Sequence, residues 1–102
     1  MKKIVVFLLM FFVSNICLAK DLVIFGADWC PSCVKLKNYI KANKSKINFI
    51  VQEMDFDKEK DLARKLGINR IPTSFIFDDN GNLQSKKIGY DSSYYKWLKN
   101  NE

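Results

Sequence analysis

Among the 102 residues of this chain, Cys30 and Cys33, in the run Trp29-Cys30-Pro31-Ser32-Cys33, are the side chains best suited to chemistry. Two thiols at this spacing can pass electrons by closing into a disulfide, or hold a soft ion such as Cu(I). A bridge over two intervening residues adds little stability, because the constraint on the unfolded chain grows with loop length. The pair is therefore read as chemical rather than as a staple. The chain contains no His. It thus lacks the commonest acid–base side chain near neutral pH and the commonest zinc ligand, and two thiolates alone leave a zinc ion short of partners. No metal and no cofactor is expected.

The third cysteine, Cys17, falls in a segment of different character. Lys2 and Lys3 are the only charges in the first 19 residues, and an apolar stretch runs from Ile4 to Phe12 and on through Val13 to Ile16. A basic start, an apolar stretch of about 13 residues and a small residue at Ala19 form the pattern of a secretory signal peptide, residues 1–19. The apolar run is shorter than the roughly 20 residues that span a bilayer. An uncleaved leader would tether the domain directly against a membrane, since a strand-like run begins at Leu22 with no linker before it. A lipid-modified Cys17 is the less suited reading, because bulky Ile16 precedes it. Removal of residues 1–19 leaves Lys20 to Glu102, one small domain with room for a single core. Without Lys2 and Lys3, 15 basic residues face 11 acidic ones, a net charge of +4. So mild an excess describes a solvated surface, and no nucleic-acid partner is expected of an exported monomer.

The elements that must position the cysteines follow from pattern. Leu22 to Phe25 is a continuous apolar run suited to a strand buried on both faces, and Gly26 to Asp28 turns the chain. Pro31 sits where a helix opens, a position at which its missing N–H costs nothing. That helix is expected from Pro31 to about Asn43, with Cys33, Leu36 and Ile40 on one face and Lys35, Lys37, Lys41 and Lys44 mostly elsewhere. Ile47 to Met54 is β-rich. Asp57 is suited to cap a second helix with Leu62, Ala63 and Leu66 as its buried stripe and Gly67 at its stop. Thr73 to Phe77 is a strong strand, Asp78-Asp79-Asn80-Gly81 a turn, and Leu83 to Ile88 its antiparallel return. Asp91, Ser92 or Ser93 can cap a last helix in which Tyr94, Trp97 and Leu98 share a face. The order β-α-β-α-β-β-α predicts an α/β fold with a four-stranded mixed sheet and helices on both faces. Strands separated by helices are expected to be parallel neighbours, with the last pair a hairpin.

This placement assigns roles to the thiols. A thiolate is the nucleophile in disulfide exchange, and a free Cys is mostly protonated at neutral pH. Cys30 stands just before the first helical turn, where unpaired N–H groups and the helix dipole favour an anion, so it is the attacking thiol. Cys33, one turn on and facing the core, is the resolving thiol that displaces the substrate.

The run Leu22-Val23-Ile24-Phe25-Gly26-Ala27-Asp28-Trp29-Cys30-Pro31-Ser32-Cys33, then Gly67-Ile68-Asn69-Arg70-Ile71-Pro72-Thr73, then Lys87-Ile88-Gly89, resembles the thioredoxin family over essentially the whole of residues 20–102. The chain looks like a short, exported thioredoxin-like protein lacking the family's first strand and helix. The resemblance implies a cis Ile71–Pro72 bond facing the cysteines, with the backbone of Ile71 free to pair with an extended substrate. It also implies that Trp29 flanks the site, and Tyr90 is a further candidate for apolar contact there. Two departures stand out. The family's buried Asp on the strand before the motif is matched here by Ile24, and a Lys on the next parallel strand by Glu53. A Glu53 buried near the cysteines would have its pKa raised toward a useful range and would serve as a proton relay. Arg70 stands where the family has Gly, which would suit acidic or carbonyl-rich partners.

Pro31-Ser32 places no cation between the cysteines, which points to a reducing potential and away from a primary oxidant. The expected function is that of an exported, periplasmic protein disulfide reductase or isomerase. Its partners would be disulfide-bearing exported proteins and a membrane thiol electron donor. The rival classes are a Cu(I) carrier and a non-catalytic thioredoxin-like binding module.

Overall fold

In the computed structural model, which describes residues 20–102, the apolar run after Lys20 forms strand β1 (Lys20–Gly26) at the interior of a four-stranded sheet. The signal-peptide reading of residues 1–19, Cys17 included, lies outside the described residues. Helix α1 (Pro31–Ala42) follows, then a 3-10 turn (Lys44–Lys46), β2 (Phe49–Asp55), α2 (Lys60–Lys65), β3 (Thr73–Phe77), β4 (Leu83–Ile88) and α3 (Tyr94–Asn100). The sheet order is β2-β1-β3-β4. Leu22 and Phe25 are fully buried, as expected of a strand covered on both faces.

β1 and β2 are parallel, with Ile24 opposite Glu53. β3 does not continue that parallel series. It pairs with the other side of β1 and runs antiparallel, Phe25 opposite Thr73. The helix between them is too short to carry the chain back. The six residues of α2 advance only about 9 Å at 1.5 Å per residue, whereas seven-residue β2 spans about 23 Å. The chain that leaves β2 at Asp55 never travels back along the sheet, and it re-enters from the end it left. That end is where the cysteines sit.

Two cores flank the sheet. On one face α1 and α3 lay Leu36, Ile40, Tyr94 and Leu98 against Leu22, Ile24, Phe49 and Ile76. On the other, α2 and its following turn set Ala63 and Ile68 against Phe25 and Phe75. The apolar positions read from α1 are thus all buried, and its lysines are exposed. Trp97 is half-buried, with its indole N–H donating to Ser85 Oγ at 2.8 Å.

The second helix departs from expectation. It begins at Lys60 with Glu59 as its N-cap and no side-chain capping bond, and Leu62 is exposed. Its C-terminal stop does hold. Gly67 adopts φ +71, its N–H donates to Arg64 O at 3.1 Å and that of Ile68 to Ala63 O at 2.9 Å. This paired closure, open to glycine at little steric cost, delivers Ile68 into the core. In α3 the cap position is Ser93, which makes no capping bond through its own side chain. Asp91 Oδ1 instead accepts from Ser93 N–H at 3.0 Å and from Ser93 Oγ.

Candidate active site

The strand-to-helix turn Ala27–Cys30 is closed by a hydrogen bond from Cys30 N–H to Ala27 O at 3.2 Å. Cys30 is the N-cap of α1, with extended backbone (φ −96, ψ 115), and Pro31 follows at the start of the helix. An N-cap side chain ordinarily accepts a hydrogen bond from an orphan N–H of the first turn. Here the sulfur does so, taking the Cys33 N–H at 3.3 Å. The geometry therefore aims a backbone donor at the atom that must carry charge during exchange.

Cys30 and Cys33 are both free thiols and both buried, at 7% and 9% exposure. Shielding, expected of Cys33, is thus common to the pair, because Ile71 packs against the cluster that holds both. Cys33 holds its proton tightly. Burial, reinforced by the hydrogen bond with Cys30 and opposed by a backbone hydrogen bond from Ala27, pushes the Cys33 thiol up to about 12 from an ordinary value of 9.0. Gly26 makes room for it. A Cβ at that position would lie 3.2 Å from both Cβ and Sγ of Cys33. The sequence marks Gly26 only as a turn residue, yet its function is this close approach.

The second half of the site arrives with β3. The Ile71–Pro72 bond is cis. The Ile71 carbonyl oxygen lies 3.9 Å from Cys30 Sγ, and Pro72 is buried while its carbonyl accepts from Gly89 N–H at 2.7 Å. Arg70 is exposed, and its carbonyl takes the Thr73 hydroxyl.

Trp29 stands beside the cysteines, 65% exposed, and its indole N–H donates to Asp57 Oδ2 at 2.7 Å. Asp57 is therefore the anchor of Trp29 and not a helix cap. Its own N–H is held by Asp55 Oδ1 at 2.9 Å in the bend that follows β2. The signal available in the sequence was the Asp55-Phe56-Asp57 run at the end of a strand parallel to the one preceding Trp29. Tyr90 is not part of the site. It packs tilted against Tyr39 and edge-on to Tyr94, at centroid distances of 5.7 and 5.5 Å.

Behind Cys33 lies an open cavity of about 280 Å³, bordered by Ile24, Cys33, Lys37 and Glu53 among others. Glu53 is not buried there. Its side chain is 42% exposed, with Oε1 4.0 Å from Lys37 Nζ. Strand β2 is an edge among the described residues, so a side chain near its end meets solvent, and apolar Ile24 offers it no polar partner from within. The burial expected of it is absent. What the structure does bring together is a carboxylate and the resolving thiol on the walls of one cavity. No group of three or more metal-ligating side chains occurs among the described residues, and no helix there is long and apolar enough to cross a membrane.

Comparison with known proteins agrees with this geometry. Residues 19–100 match the family model described as a thioredoxin-like domain. The chain is 35% identical over 86 residues to a thioredoxin of Rickettsia bellii, covering 78% of this chain and 79% of that one. It is 27% identical over 74 residues to a thioredoxin of Chlamydia muridarum, covering 72% of each. Among solved structures, thioredoxin of Fasciola hepatica superposes with a TM-score of 0.74 at 19% identity over 91% of both chains. Mitochondrial thioredoxin 3 of Saccharomyces cerevisiae, in its oxidised form, gives 0.70 at 23% over 89% of both. At such identities the superpositions speak to the fold alone.

Proposed function

From the premise that this chain belongs to the thioredoxin family and is a thiol–disulfide oxidoreductase with the pair Cys30 and Cys33, we propose that it works after export and reduces protein disulfides. The observation that carries the direction is the dithiol's surroundings. The Cys33 proton is tightly held, and among the described residues Cys30 Sγ has one backbone N–H and one carbonyl as its hydrogen-bond partners, with no Lys or Arg. Oxidants of this chemistry are strong because their reduced form is stabilised. This site gives its reduced form little of that help, so it gives up electrons readily.

In the reaction, the Cys30 thiolate attacks one sulfur of a substrate disulfide. The Cys30–substrate bond forms, the other substrate sulfur leaves as a thiolate and takes up a proton. Cys33 then loses its proton and attacks Cys30 Sγ, closing the Cys30–Cys33 disulfide and releasing the second substrate thiol. Two electrons have moved from enzyme to substrate. Ile71 and Pro72 border the approach to Cys30, and an extended segment of substrate pairs with the backbone of Ile71. Trp29 covers its flank. Glu53 serves as acceptor for the Cys33 proton across the cavity they share. The signal-peptide pattern of residues 1–19 supports export, and in an oxidising compartment the disulfide is returned to dithiol by a membrane thiol donor.

Reduction of insulin by dithiothreitol should be accelerated by the protein and not by Cys30→Ser. In glutathione buffers its potential should lie near that of thioredoxin, about −270 mV, and a value near −120 mV would overturn the reducing direction. A Cys33→Ala variant should accumulate mixed disulfides with exported proteins. Glu53→Gln should alter the pH dependence of the resolving step, and an unchanged pH profile rules out the relay. Mass spectrometry of the exported protein should find Lys20 at its N-terminus.

A further inference from the structure

We propose that the outer edge of β2, together with the groove between it and α1, docks an extended segment of a partner protein in which acidic side chains alternate with apolar ones. The two edges of the sheet are built differently. β4 carries Lys86 and Lys87 and a register irregularity opposite Ile76 and Phe77, devices that discourage further strand pairing. β2, Phe-Ile-Val-Gln-Glu-Met-Asp, carries no Lys, and among the described residues it pairs only with β1. Alternate residues along it direct their N–H and C=O away from β1, which leaves a ladder ready for one more strand.

The side chains on either face of that edge specify the occupant. On the α1 face a groove of about 260 Å³ has Ile40 and Val51 as its apolar walls and Lys41, Lys44 and Glu53 around it. α1 runs antiparallel to β2, so Lys37 stands near the end of the strand and neutralises Glu53 at 4.0 Å. Lys41 and Lys44, near its beginning, have no ion pair among the described residues. An added strand would place every second side chain beneath these two lysines, where a carboxylate is favoured. The intervening side chains would meet Ile50, 52% exposed on the opposite face, where an apolar group is favoured.

The probe is a capped heptapeptide alternating Val and Glu, added to the isotopically labelled protein as purified. Amide shifts should change along Phe49–Asp55 and at Lys41 and Lys44, hydrogen exchange of the outward amides of β2 should slow, and binding should weaken with salt. Replacing Glu by Lys in the peptide, or N-methylating the residues of its pairing edge, should abolish these changes. Lys41→Glu with Lys44→Glu should lose about tenfold in affinity, the sum of two attractions removed and two repulsions added at a partly exposed site, while insulin reduction stays unchanged. The proposal is overturned by shifts confined to the surroundings of Cys30 or by equal binding of the Lys peptide. It is overturned equally by β2 amides already protected without peptide, whether by a second copy, seen as a concentration-dependent mass, or by residues 1–19.

Discussion

The proton on Cys33 gives a sharp test of the site. With the thiol pushed from 9.0 to about 12, the reduced native state keeps a proton that the unfolded chain releases as pH passes its ordinary value. The sign follows directly. Below pH 9 both states hold the proton and stability is unaffected. Above it the unfolded chain holds fewer protons than the native one, so stability falls with pH until the native thiol itself ionises near 12. One pKa unit is about 1.4 kcal/mol, so the reduced protein should be about 1.4 kcal/mol less stable at pH 10 than at pH 8 on account of this group alone. Urea unfolding of the reduced protein at the two pH values, run beside Cys33→Ala, isolates that contribution as the difference between the two slopes. Thiolate absorbance at 240 nm supplies the direct titration, in which the second thiol should remain largely protonated at pH 10. In Cys30→Ser the contributions of Cys30 lapse while burial persists, so Cys33 should titrate lower than in the intact pair yet above 9.0. A titration of both thiols complete by pH 9.5, or identical pH slopes with and without Cys33, would refute the reasoning.

Other expectations concern the supports of the site. Gly26→Ala places a methyl 3.2 Å from Cys33 Cβ and Sγ, and should slow disulfide closure within a trapped Cys30 adduct and cost about 1–3 kcal/mol of stability, read by stopped flow and by urea melts. Asp57→Ala frees the Trp29 indole; tryptophan fluorescence should shift, and kcat/KM for insulin should fall severalfold with stability changed by less than about 1 kcal/mol. Leu36→Ala empties a fully buried position beneath α1 and should cost about 2–5 kcal/mol in thermal or denaturant unfolding.

What could be read in advance depended on how many independent signals met at a residue. α1 was legible because Pro31 opens it and Cys33, Leu36 and Ile40 repeat at helical spacing over twelve residues. α2 spans six residues, too few for periodicity to choose a face, and so Leu62 was placed inside although it is exposed. Asp57 carried the chemistry of a cap and of an indole acceptor equally well, and only the proximity of the β1 and β2 ends decides between them. The cis Ile71–Pro72 bond came from family resemblance, since nothing in the local sequence distinguishes it from a trans proline opening a strand. Whether Glu53 is buried or exposed could not be read from its own segment, because edge or centre is a property of the whole sheet.

The return of β3 beside β1 has a consequence for how this protein comes to be active. Cys30 and Cys33 are three residues apart and can join in a chain that has no fold at all. The Ile71–Pro72 wall reaches them only when Phe25 finds Thr73, a contact between residues 48 positions apart. A closed disulfide therefore records nothing about folding, whereas capture of a substrate does. A chain under oxidising conditions can carry the bond before it has the means to use it, and its activity begins with the pairing of two strands.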